Sequence, residues 1–149
     1  MSRPRKTCED GGPPVSYLIE TSVWVSYLRD RGGERGDQVD RLLRENVGEI
    51  VGCPAVRMEL AIDSDELRRR RLLKWYDGFP TTDVVADDFD LAAAIHREVR
   101  ATGHTVRSPT DCLIAAAAVR SGCTLVHSDV DFDRIGAAVP ELPVLRLGG

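Results

Sequence analysis

No stretch of the 149 residues approaches the roughly 20 consecutive apolar residues that a bilayer span needs. The opening "MSRPRKTCEDGGPP" carries basic residues but no apolar segment, so it does not read as a signal peptide. It reads as a flexible N-terminal tail over 1–14, followed by one domain over 15–149 that is long enough to bury a core. Cys8, Cys53, Cys112 and Cys123 show no CxxC spacing, and His96, His104 and His127 no metal-pair spacing, which argues against a zinc site. With no export signal, the thiols are expected to be reduced and the protein cytoplasmic. Lysine is scarce: Lys6 and Lys74 are both badly placed for a receiver domain, which wants a lysine after a late strand. Basic excess is missing as well. The formal charge of −4 argues against a general nucleic-acid binder, although "ELRRRRLLK" (66–74) is strongly basic and "DVVADDFD" (83–90) acidic.

What is present is a globular composition, 42% apolar and 30% charged, arranged as alternating strands and helices. Val15, Tyr17 and Ile19 make a short strand, and Thr21 and Ser22 open a helix fed by Val23, Val25, Tyr27 and Leu28. A loop is expected over 30–37, a helix over 38–47, a short buried strand within 48–54 and a helix over 55–62 after Pro54. Further helices are expected over 64–79 with Ser64 as cap, over 87–103 capped by Asp87 or Asp88, over 108–122 and over 129–138. Strands are expected over 81–86, 123–128 and 142–147. This alternation implies one α/β domain, a three-layer α/β/α sandwich with a mostly parallel central sheet. Trp24, Trp75, Tyr76 and Phe79 read as core or partner-facing aromatics.

Open parallel sheets build their sites beyond the carboxyl ends of the strands. Glu20 follows the first strand directly, and Asp129 and Asp131 follow the "LVHS" strand. Asp111 sits in the first turn of the "SPTDCLIAAAA" helix, and Glu59 interrupts the apolar series Val56, Met58, Leu60, Ile62. Taken singly, Asp111 suits the helix dipole, Glu59 a solvated helix face, and Asp129 and Asp131 a cap and a turn. Gathered in one pocket they would repel one another unless a divalent cation held them, and clustered oxygen ligands suit Mg²⁺ or Mn²⁺. Such a site serves chiefly phosphoryl chemistry. Thr21, Ser22 and Ser128 would add neutral groups that position a phosphate, and His127 is the one histidine expected to line the site. A haloacid-type phosphatase is disfavoured because "IETSV" lacks the second acid of a DxD loop.

Four segments in order, "YLIETSVWV", "MELAI", "SPTDCLIAAAA" and "LVHSDVDFDRI", resemble the PIN-domain ribonucleases, and among them the VapC-type toxins of type II toxin–antitoxin pairs. The resemblance runs from Tyr17 to Leu147. It implies catalytic acids at Glu20, Glu59, Asp111, Asp129 and Asp131, with Glu20, Asp111, Asp129 and Asp131 as metal ligands. It further implies Mg²⁺- or Mn²⁺-dependent cleavage of RNA, leaving a 5′-phosphate and a 3′-hydroxyl. A homodimer and a VapB-type antitoxin are the implied partners, with DNA bound only through the antitoxin. The family pattern has Asp where this chain has Glu20. An extra methylene shifts the carboxylate by about 1.5 Å, and misplacement of about 1 Å can cost ~100-fold in rate. Metal binding is therefore expected to survive and turnover to fall; the alternative is a catalytically impaired PIN-fold module that holds an antitoxin or other protein. Arg68, Arg69, Arg70 and Arg71 are candidates for RNA binding, with a solvated helix face as the competing reading.

Overall fold

The β-branched and aromatic run near the start forms Tyr17–Ile19 (β1), whose Leu18 and Ile19 are buried at the centre of the molecule. A computed structural model describes residues 15–29 and 32–148; the tail expected over 1–14, with Cys8, lies outside the described residues. β1 pairs in parallel with Ile50–Val51 (β2) on one side and Thr124–His127 (β3) on the other. Val144–Arg146 (β4) lies parallel beyond β3, giving the order β2-β1-β3-β4. The chain thus leaves β1 toward one edge and later returns on its other side. That reversal opens a crevice at the carboxyl ends of β1 and β3, the place where sheets of this kind bind ligands.

Among the described residues seven helices complete the α/β/α sandwich: Thr21–Arg29 (α1), Glu34–Glu45 (α2), Pro54–Leu60 (α3), Glu66–Tyr76 (α4), Ala86–Ala101 (α5), Pro109–Ser121 (α6) and Val130–Ala138 (α7). α6 is the central one. Its Cys112 and the run Ile114 to Ala118 are buried, so it is apolar on nearly every side, as a helix enclosed by the domain must be. Pro109 at its start and Gly122, left-handed at φ 69°, after its end set its limits. Trp24 is core: its ring meets Trp75 edge-on at 4.9 Å and Phe79 at 5.7 Å.

Three elements differ from the sequence expectation. α2 begins at Glu34 inside the segment expected to be loop, because Glu34 and Asp37 complement its amino end and Gly36 packs against the interior. α4 is capped by Asp65 rather than Ser64, its carboxylate accepting from the Arg68 amide at 2.8 Å. The strand expected over 81–86 reduces to one bridge between Gly52 and Thr81. The Asp88 carboxylate then takes the Val85 amide at 2.9 Å and turns the chain into α5, with Val85 rather than Asp87 or Asp88 as the capping residue.

Candidate active site

Glu20 directly follows β1, its amide still donating to the Val126 carbonyl at 3.0 Å. Its side chain does not reach outward. It curls back onto the amino end of α1, where Oε2 accepts from the Ser22 amide at 2.9 Å and Oε1 from the Val23 amide at 3.2 Å. The Ser22 hydroxyl also donates to it. An acid is tolerated at 3% exposure because the free amides of a helix start take its charge. Burial pushes the Glu20 carboxyl above its ordinary pKa, the Ser22 and Val23 donors pull against that, and the charge of Asp129 adds to the rise.

Thr21 ties α1 to α3 by donating from Oγ1 to Glu59 Oε1 at 2.6 Å. Asp111, half-buried in the first turn of α6, has its carboxyl pushed up to about 7. Burial is the largest cause, followed by the negative charges of Glu59, Glu20, Asp129 and Asp131 in that order. Four acids from three other parts of the chain are therefore close enough to raise the cost of charging Asp111.

Asp129 caps α7, its Oδ1 accepting from the Asp131 amide at 2.9 Å. Asp131 is 1% exposed and points inward. Arg107, which sequence reasoning missed, bridges both. Its Nη2 donates to Asp129 Oδ1 at 2.8 Å and Oδ2 at 2.7 Å, while its Nε and backbone amide reach Asp131 Oδ2 at 3.0 and 3.1 Å. Burial alone would raise the Asp131 carboxyl, but the Arg107 donors outweigh it and hold that group below the usual range. An arginine in a connecting loop, more than twenty residues from its partners, leaves no periodicity or spacing that would single it out. Ser128 is half-buried between β3 and Asp129. His127, expected to line the site, is fully buried instead: Nδ1 accepts from the Asp129 amide at 3.3 Å, and Nε2 lies 3.5 Å from Asp133 Oδ1. It supports the crevice from beneath.

The donor set fits a hard divalent cation, since the groups brought together are carboxylates, with Cys112 and His127 buried beside them. As the side chains stand, no three His, Cys, Asp or Glu groups among the described residues form a ready cage. The reason is visible in the bonds: α1 holds Glu20, Thr21 holds Glu59, and Arg107 holds Asp129 and Asp131. Asp111 alone has no protein donor among the described residues. Loading a cation therefore means exchanging protein donors for metal at one or two of these acids.

The basic run lies on α4, which packs beside α3. Arg68 grips Asp63 through Nε at 2.5 Å and Nη2 at 2.8 Å, and Arg70 pairs with Glu66 at 3.1 Å. Arg69 donates to the Asp63 carbonyl at 2.9 Å, and Arg71 lines a groove between α1 and α4 with Leu67, Leu72 and Trp75.

Residues 17–138 match the PIN domain family. The chain is 43% identical over 120 residues to ribonuclease VapC11 of Mycobacterium tuberculosis, covering 79% of this chain and 90% of that protein. VapC ribonuclease Mb1587 of Mycobacterium bovis matches to the same extent, 43% over 120 residues with 79% and 90% covered. Among solved structures, the fold resembles DNA-bound VapBC from Salmonella typhimurium with a TM-score of 0.71 at 15% identity, covering 89% of this chain and 98% of that one. VapBC-5 of Mycobacterium tuberculosis, a toxin–antitoxin system, superposes with a TM-score of 0.65 at 18% identity, covering 89% and 98%.

Proposed function

The chain belongs to the PIN-domain family as a VapC-type ribonuclease toxin, and from that premise we propose that it cuts RNA with a divalent cation, Mg²⁺ or Mn²⁺. The supporting observation is the convergence of Glu20, Glu59, Asp111, Asp129 and Asp131 on the crevice between β1 and β3, where Asp111 feels the other four. Glu20, Asp111 and Asp129 would hold the ion. Asp131, buried and bonded twice by Arg107, favours a supporting role over that of a direct ligand. When bound, the cation supplies Lewis-acid chemistry, activating water and offsetting charge that develops on the phosphate.

The rest of the task falls to the chain. Thr21 holds Glu59 by its hydrogen bond, and the Ser22 and Ser128 hydroxyls would orient a phosphate, Ser22 by exchanging its bond to Glu20. Arg68, Arg69, Arg70 and Arg71 supply cationic surface for the RNA strand. A VapB-type antitoxin is the partner that restrains this activity, as the VapBC assemblies similar in fold suggest, and DNA would be reached only through it. The working unit is a homodimer in the cytoplasm, where the cysteine thiols stay reduced.

One observation favours the alternative, a PIN-fold module that mainly holds a partner: the Glu20 carboxylate is already occupied by α1. A cleavage assay separates the two. Purified protein with RNA in Mg²⁺ or Mn²⁺ should yield 5′-phosphate and 3′-hydroxyl ends, and chelator should abolish them. Asp111→Asn should lower the rate by roughly 100-fold or more. Cleavage that persists in chelator, or that survives in Asp111→Asn, overturns the metal-dependent reading.

A further inference from the structure

We infer that Arg107 is a built-in counter-cation of the crevice, a positioning residue that occupies Asp129 and must yield it before a divalent cation binds. The inference rests on the metal-dependent reading above and names a residue of this chain that controls it. Nη2 of Arg107 lies 2.8 and 2.7 Å from the two oxygens of Asp129, so the face a cation would use is already filled by a guanidinium. Asp129 Oδ1 is further engaged by the Asp131 amide at 2.9 Å. Nε and the amide of Arg107 both meet Asp131 Oδ2, so one residue cross-links the two acids that open α7.

The two sides of this bridge differ in a way that suits exchange. The Arg107 side chain is 70% exposed at the lip of the crevice, whereas Asp131 is 1% exposed. The guanidinium can withdraw without opening the core, because the neighbouring Val106, not Arg107, is the buried anchor of that loop. After withdrawal the backbone amide still holds Asp131, so Asp129 is freed while α7 keeps its position. A divalent ion brings twice the charge of the guanidinium to the same oxygens and can also recruit Asp111, which no arginine reaches among the described residues. The crevice is thereby kept partly neutral without metal, at the cost of weaker metal binding.

Arg134 supplies the internal control. Its Nη1 stands 3.7 Å from Asp131 Oδ1, the same sign of charge near the same acid. Among the described residues it makes no bond to Asp129.

The test is a titration of Mn²⁺ alone against the full chain and its variants, at low ionic strength, with free Mn²⁺ read by electron paramagnetic resonance. Arg107→Ala should bind Mn²⁺ roughly three- to tenfold more tightly than the unaltered protein. Arg134→Ala should change affinity by no more than about twofold. Arg107→Lys, which keeps the charge but cannot fork across both acids, should fall between the unaltered protein and Arg107→Ala, and it serves where the alanine variant does not fold. Unchanged or weaker binding in the Arg107 variants, or an equal gain in Arg134→Ala, overturns the inference. Equal binding by all four proteins removes the role of Arg107 while leaving the metal site standing. Absence of Mn²⁺ binding in every protein overturns both.

Discussion

At the scale of single residues, Glu20 answers two demands at once. As the residue before α1 it satisfies the Ser22 and Val23 amides, and as the first residue past the central strand it lies near Asp111 and Asp129. An aspartate here would still cap the helix, since Asp is among the favoured residues at that position. What changes is where the carboxylate comes to rest relative to the crevice. Glu20→Asp should therefore leave thermal stability nearly unchanged while raising kcat on RNA in Mg²⁺, by up to ~100-fold if the misplacement is of the order of 1 Å. Equal rates for the two proteins, measured under single-turnover conditions, would show that the longer acid carries no penalty. The position of Glu20 was legible in the sequence because an acid after an apolar strand has few structural reasons to be there. Its cap role was hidden, since the side-chain torsions that turn it back on α1 leave no trace in residue order.

At the scale of elements, α5 and α6 are joined by an ion pair with a buried carboxylate that the sequence did not reveal. Asp88 is 1% exposed and accepts from Arg120 Nε at 2.8 and 3.1 Å, while Arg120 Nη2 donates to the Asp83 carbonyl at 2.6 Å. Removing Arg120 leaves the buried Asp88 charge with only the Val85 amide to offset it. Arg120→Ala should destabilise the domain, read as a lower midpoint in a urea titration. Replacing both partners, with Asp88→Leu and Arg120→Met, should recover part of that loss; no recovery would mean that the Val85 amide bond, not the ion pair, dominates. The long helices were readable because period and punctuation agree, as in α6 with Pro109 before its body and Gly122 after it. Short strands fared worse. β2 is two residues, and the segment at 81–86 is β-prone by composition yet becomes a single bridge, because Asp88 starts a helix where a second pairing would have continued. Tertiary bonds decided those boundaries, and Arg107 escaped notice for the same reason: its meaning lies in partners on α7 and just before it.

For the whole molecule, the difficulty is bringing a polyanion to an acidic crevice. The formal charge is −4, and four other carboxylates lie close enough to Asp111 to raise its pKa. Long-range electrostatics therefore oppose approach unless a basic surface offsets them. The basic run on α4 is partly spent on neighbours: Arg68 on Asp63 and Arg70 on Glu66, the latter an exposed helix pair worth little. Arg70 and Arg71 remain exposed and can exchange such contacts for phosphates. If they do, Arg70→Glu with Arg71→Glu should weaken binding of a single-stranded RNA, measured in chelator so that nothing is cut. It should also flatten the plot of log affinity against log salt by about 1.4, two phosphates at roughly 0.7 each. Reversal of Arg41 and Arg44 on α2 alters net charge equally and should shift affinity while leaving that slope in place. A slope unchanged by the α4 pair would return Arg68 to Arg71 to the role of a solvated helix face, and the strand would have to be held by groups nearer the crevice.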